Sequence, residues 1–424
     1  MSSPISFIFS TNNLILHTVF AVSLTLLLSF FKIPALLLHG LHTYIHPDDV
    51  NPGGNSGGLR AAIRRPGAIG SEQIKPRKKS KERFDFDESK AQIFRLQLNE
   101  GHLQSRIYFK EFYSVFNYTL ISLLSLLLHR FLRVDKDSGV VRNGNYNPDF
   151  IGVGGRLIMV FEVFPKWVLD FSFDSLDGFG KVLFAALMGF VVGILFIPAL
   201  RNARAFWLGT DQIRCNLSII SCGLFSRMLL YANFILVFFT SLLWINPVAE
   251  FLVDSRMNSK NGSNITDKKG EVLNLVGCIG LSRSNFENLR LCCMLISGLL
   301  QILALRPNVQ MFLNEAVFCW YQRLHGSKVP DLEYSRAKVF LHNHCLCLVV
   351  LQFFAPGAMV LLLLGLSPFD NNFLTDIHWP CNNSSCSVFV KEVALFMAWW
   401  IIFVWAVHCS VILALYRRGI FYVS

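Results

Sequence analysis

Charge is what this chain has least of. Only 16% of its 424 residues are Asp, Glu, Lys or Arg, where soluble proteins carry nearer a quarter. With a mean hydropathy of +0.45, that scarcity excludes an ordinary soluble domain. Catalytic signatures are lacking too: no GxSxG, HExxH, Walker or GxGxxG constellation stands in suitable flanks, and Gly152-Val-Gly-Gly155 is too short to cradle a phosphate. The sequence therefore points to no enzyme and no cofactor. Basic residues are absent ahead of the first apolar run, whose first charge is Lys32, which argues against a cleaved signal peptide.

What is present is a set of seven long apolar runs: Leu14 to Leu38, Phe112 to Leu132, Val182 to Leu200, Phe225 to Ile245, Leu291 to Leu305, Val339 to Leu366 and Val393 to Leu415. A bilayer core takes about 20 mostly apolar residues per helix, and most of these runs reach that length. The expected fold is all-α: a polytopic bundle of about seven transmembrane helices plus one re-entrant or interfacial segment, Ile151 to Phe171. That segment is apolar but holds Arg156, Glu162, Lys166 and Asp170, and a full crossing there would invert every later loop. Three regions result: a first helix over residues 1–38 with an external N-terminus, a basic and partly disordered cytosolic loop over 39–111, and a helical membrane domain over 112–424.

The orientation comes from charge. The first loop holds Arg60, Arg64, Arg65, Lys75, Arg77, Lys78, Lys79, Lys81 and Arg83 against Glu72 and Glu82 between them, and such clusters stay cytosolic beside anionic lipid. The formal charge of +11 is split among loops, which makes lipid a better partner than nucleic acid. Alternate crossings then place 201–224, 307–336 and the C-terminus inside, each with arginines or lysines. The sequons at Asn261, Asn264, Asn382 and Asn383 fall outside, as glycosylation requires. Cys381 and Cys386 share an external loop and are the disulfide candidates, while most other cysteines lie in apolar runs as small hydrophobes. The expected home is the plasma membrane or another membrane of the secretory pathway.

Within Leu14 to Leu415, few residues invite chemistry. Ionisable groups at membrane depth are costly and default to functional candidates. Arg290, Arg306 and His408 qualify, although arginines near helix ends are also explained by snorkelling. Pro356-Gly357 interrupts its run with Gln352 one turn earlier; a proline break either kinks a helix or opens a backbone site for an ion or substrate. His342-Asn-His344-Cys-Leu-Cys347 looks like a ligand cluster, but helical residues two apart diverge by about 200°, so structural histidines are the better reading and no metal is expected. Ala186, Gly189 and Gly193 form a small-residue face suited to close helix contact. Val309, Phe312, Leu313, Ala316, Trp320 and Leu324 predict an amphipathic helix lying along the inner membrane face. Ile93, Leu96, Leu103 and Ile107 suggest a short amphipathic approach to the second membrane helix.

Several phrases together resemble the transmembrane protein 161 family. They are Ile197-Pro-Ala-Leu-Arg-Asn-Ala-Arg204, Leu242-Leu-Trp-Ile-Asn-Pro247, Phe286-Glu-Asn-Leu-Arg-Leu291, Ala304-Leu-Arg306, Val309-Gln-Met-Phe-Leu-Asn-Glu-Ala316 and Leu351-Gln-Phe-Phe-Ala-Pro-Gly-Ala-Met359. Their order carries the resemblance over roughly residues 165 to 415. It implies an external N-terminus and a long basic loop after the first helix. The chain departs from the family between Arg130 and Gly155, which is polar where the resemblance implies another hydrophobic pair. No catalytic residues come with the family; the resemblance links animal members to membrane excitability and stress resistance. The expected role is a modulator or conductor of ion or solute flux, and the alternative is a seven-helix receptor-like or scaffold protein.

Overall fold

The computed structural model describes residues 4–45, 94–137, 178–212, 223–245, 248–249, 252, 283–326, 332–367 and 384–421. The long helices are α1 (Pro4–Phe31), α4 (Phe109–Asp137), α5 (Gly178–Trp207), α6 (Leu224–Leu242), α7 (Arg283–Leu303), α8 (Leu305–Gly326), α9 (Leu332–His344), α10 (Leu346–Leu366) and α11 (Ser384–Arg417). Two short helices, α2 (Ile33–Leu38) and α3 (Glu100–Gln104), flank a pair of antiparallel strands, β1 (His42–Ile45) and β2 (Phe94–Gln97), in which Thr43 faces Leu96. The fold is that of an all-α polytopic membrane protein, with one small strand pair among the described residues.

Among the described residues, six helices are long and apolar enough to cross a membrane: α4, α5, α6, α7, α10 and α11. The seventh expected crossing rests on α1, a 28-residue helix whose described apolar stretch is Thr18–Phe31. Ile151 to Phe171, most of the basic loop, the four candidate sequons and Cys381 lie outside the described residues. Cys386 falls in the first turn of α11, with its side chain undescribed.

Contacts fix the helix directions. Phe116 packs on Phe354 at 4.7 Å, and Leu126 lies against Gly365, so α4 runs parallel to α10. Gly298 meets Leu361 while Gln301 meets Gly357, so α7 runs antiparallel to α10. Arg290 and Thr240 join α7 to α6 head to tail. Trp400 donates to the Met188 carbonyl and Arg204 to Tyr416, which makes α11 parallel to α5. Thus α5, α7 and α11 run one way and α4, α6 and α10 the other, as alternate crossings require. The ends of α5, α7 and α11 meet at one pole with α8, α9 and β1, and this pole collects Arg201, Arg204, Lys338 and Arg417.

Three local expectations change. Helix α8 does not lie on the membrane face with one side wet: Val309 and Val317 are fully buried, but so, nearly, are Asn308, Asn314 and Glu315. Its polar side is covered by α5, α9 and β1, which supply partners that periodicity along one helix cannot reveal. The approach to α4 is not a continuous amphipathic helix, because Leu96 sits in β2 and Gly101 in the separate short α3. Finally, a Cβ at Gly189 or Gly193 would meet nothing within 4 Å among the described residues. The tight helix crossing is elsewhere: at Gly298 a Cβ would meet Leu361 at 2.8 Å, and at Gly357 the Gly298 carbonyl at 3.0 Å.

Candidate functional site: a charged hub at the basic pole

Glu315 is the sole acid of α8 and is only 3% exposed. An isolated buried carboxylate is strongly disfavoured, so its surroundings must compensate. Arg204, from the last turn of α5, places Nη1 at 3.0 Å from Glu315 Oε1. Lys338 and His342, one turn apart on α9, bring Nζ to 3.6 Å and Nε2 to 3.9 Å. The His342 ring is held in two ways: Nδ1 donates to the Lys338 carbonyl at 2.9 Å, and the ring stacks on Phe312 at 4.5 Å. That bond uses the Nδ1 proton and turns Nε2 toward Glu315. Arg204 Nε also donates to the Tyr416 hydroxyl at 2.9 Å, and Tyr416 stacks on Trp207. One carboxylate therefore ties α5, α8, α9 and, through Arg204, α11.

Burial pushes the Glu315 carboxyl upward. The nearby His342 ring, the Arg204 charge and the Lys338 charge act against it and hold the group below the ordinary carboxylate range. Glu315 is accordingly ionised at neutral pH. A carboxylate faced by the Arg204 and Lys338 cations is a weak proton acceptor, and the contacts tie α5, α8 and α9 together.

Next to the hub, amide side chains grip strand β1. Gln310 accepts from the His42 backbone N–H at 2.9 Å and donates to the His42 carbonyl at 3.1 Å. Asn314 accepts from both Gln310 and the Tyr44 hydroxyl, each at 2.9 Å. Asn343 donates to the Tyr44 carbonyl at 2.7 Å and accepts from Thr43. A strand pair of this size is marginal alone; here α8 and α9 satisfy its edge as a third strand would. Gly40, with φ of +76°, makes the turn that delivers the chain into β1, and Arg306 Nη2 caps that turn by donating to the His39 carbonyl at 3.2 Å.

The residues singled out from sequence do not converge on one centre. Arg290 does not snorkel: at 5% exposure it donates from Nε to the Leu243 carbonyl at 2.9 Å, capping α6. Its guanidinium lies over Phe286 at 4.4 Å and Trp244 at 4.8 Å, favourable cation–π geometry. Arg306 belongs to the β1 turn. Gln352 accepts a hydrogen bond from Arg201 Nη1, which joins α10 to α5 one turn before Pro356. Pro356 and Gly357 sit inside an unbroken α10 at its crossing with α7. His408 meets Phe196 edge-on at 5.6 Å. His344 stacks on Phe340 rather than joining His342. Among the described residues, no group of three His, Cys, Asp or Glu side chains is placed to hold a metal ion.

Sequence reasoning missed Glu315 as the centre, along with its partner Lys338. One signal was available: Glu315 is the lone acid among Asn308, Gln310 and Asn314 on the amide side of α8, and its burial there needs a nearby cation.

Residues 177–379 match the family model described as predicted transmembrane protein 161AB. Over this region the chain is similar to the transmembrane protein 161 family. The matched stretch holds α5 to α10 and with them Arg204, Glu315, Lys338 and His342, so the hub is built within the family region; Tyr416 and His408 on α11 lie beyond it. No solved structure matches the chain.

Proposed function

We propose that this multi-pass membrane protein is not an enzyme and that it modulates or conducts the flux of an ion or small solute. The supporting observation is a polar stripe inside the bundle. Hydrogen bonds from Ala304 to Leu300 and from Asn308 to Ala304 carry the helical phase from α7 into α8. At about 100° per residue, Ser297, Gln301, Asn308 and Glu315 then fall within about 40° of one another over roughly 27 Å. All four are at most 5% exposed, and Ser297 Oγ, Gln301 Oε1 and Asn308 Oδ1 have no hydrogen-bond partner among the described residues. Aligned buried oxygens of this kind cost free energy in a passive bundle, and they suit a path for a hydrated or polar species better than a scaffold.

The basic pole is read as cytosolic, against anionic lipid, because the cations of α5, α9 and α11 gather there. Glycosylation mapping at Asn264 and Asn383 tests that orientation, since modification of either requires it to face the lumen. Flux is tested with full-length protein in liposomes and by co-expression with native channel currents. Gln301→Leu and Asn308→Leu should lower flux or modulation at least about tenfold while the protein stays monodisperse. Protein that moves no ion or solute and alters no current would end this reading.

A further inference from the structure

We infer that a cavity between α5, α6 and α11 binds a single water molecule as a structural ligand, with Asn233 as its acceptor. Asn233 lies at the middle of α6, is 6% exposed, and lines the cavity, its Oδ1 lacking any hydrogen-bond partner among the described residues. Opposite it stand Asn202 of α5, and Cys409 and Ser410 of α11. Asn202 is already engaged, donating from Nδ2 to Cys409 Sγ at 3.5 Å, and the Cys409 thiol in turn donates to the Ala199 carbonyl at 3.7 Å. The Asn202 amide N–H and the Cys409 thiol are thus engaged, whereas the Asn233 oxygen is not.

The space has room for about one water. That size is decisive, because a buried amide oxygen calls for an O–H donor, and the aromatic walls formed by Phe234 and Trp405 leave no volume for a larger hydroxylic ligand. Water meets the requirement for several polar neighbours: it donates to Asn233 and has the Ser410 hydroxyl and the Asn202 amide on the facing wall. Bound there, it completes a polar joint among three helices at a depth where lipid offers no hydrogen bond. The joint is separate from the stripe on α7 and α8 and does not depend on the flux reading.

The direct experiment is a high-resolution map of the full-length protein in lipid nanodiscs. A discrete feature within hydrogen-bonding distance of Asn233 Oδ1 is expected. An empty cavity overturns the inference, and so does elongated density continuing out between α6 and α11, which would mean a lipid hydroxyl. Thermal unfolding gives an independent reading by its sign. If water is bound, Asn233→Leu removes its acceptor and lowers the melting midpoint by several degrees. If the oxygen is dry and unpaired, the same change removes a desolvated group and raises the midpoint; an unchanged or raised midpoint therefore counts against the bound water. The map of the unaltered protein decides the matter where the variant does not fold.

Discussion

The basic pole and the membrane-depth crossing of α7 with α10 solve the same problem, holding helices together in an environment with little hydrophobic driving force, by opposite means. At the pole, long polar side chains reach across gaps: Glu315 gathers Arg204, Lys338 and His342, and Gln310, Asn314 and Asn343 grip a strand. At the crossing, side chains are removed, and Gly298 and Gly357 let two backbones approach until a Cβ on either would meet atoms at 3.0 Å or less. The first solution fails when a partner is lost. The second fails when an atom is added.

The largest expected effect is therefore at the hub. Glu315→Gln keeps the shape but leaves Arg204 and Lys338 facing a neutral amide, and stranding buried charge in this way costs about 3 to 5 kcal/mol; Lys338 is 11% exposed, so the upper part of that range applies more to it than to Arg204 at 32%. Thermal unfolding in detergent should show a large fall in midpoint. Acid should mimic the substitution. Because the folded Glu315 carboxyl is held below its ordinary value of 4.5, its contribution is fully present above that value and is lost as pH falls below it. The unaltered protein should lose stability through that window, while Glu315→Gln shows a smaller loss there. Equal acid sensitivity in both would mean that the hub is not the titrating element.

A smaller but still clear effect is expected at the crossing. Gly298→Val adds atoms where Leu361 and the Gly357 carbonyl already stand, and overpacking of this kind costs about 1 to 3 kcal/mol. Leu361 can shift, but the backbone oxygen cannot, so Gly357→Val, directed at the Gly298 carbonyl, should be the worse of the two. Salt should leave both glycine variants unaffected, whereas the partly exposed Arg204 makes the hub the more salt-sensitive region.

What was legible in the sequence follows the same division. The runs that became α4, α5, α6, α7, α10 and α11 announce themselves, because crossing a bilayer demands about 20 apolar residues whatever lies beside them. Partnerships do not announce themselves. Glu315, Arg204 and Lys338 are separated by 111 and 23 residues in sequence, and only the return of α8 against the ends of α5 and α9 brings them together. Arg290 was visible as costly, yet its remedy, the end of α6 and the rings of Trp244 and Phe286, depends on which helix runs antiparallel to α7. The burial of α8 was invisible for a related reason: its amide side looks wet until β1, from the far end of a long loop, is seen to cover it.

The smallest expected effect makes the sharpest comparison. Gly189 and Gly193, one turn apart on α5, carry the familiar spacing of a helix contact, whereas Gly298 and Gly357 lie on different helices and share no motif. Yet a Cβ at Gly189 would meet nothing within 4 Å among the described residues, and its neighbours Leu187, Phe190 and Ile194 are 46 to 65% exposed, as lipid-facing residues are. The helix instead turns Phe184, Met188 and Leu195 toward the bundle. Gly189→Val should therefore shift stability by less than about 0.5 kcal/mol, and loss of the flexible glycine from a helix interior offsets part of even that. Measured beside Gly298→Val in one lipid, an equally large fall for Gly189→Val would mean that the outer face of α5 is an occupied interface. A near-zero shift would mean that spacing alone marks where helices are able to meet, while the packed partner decides where they do.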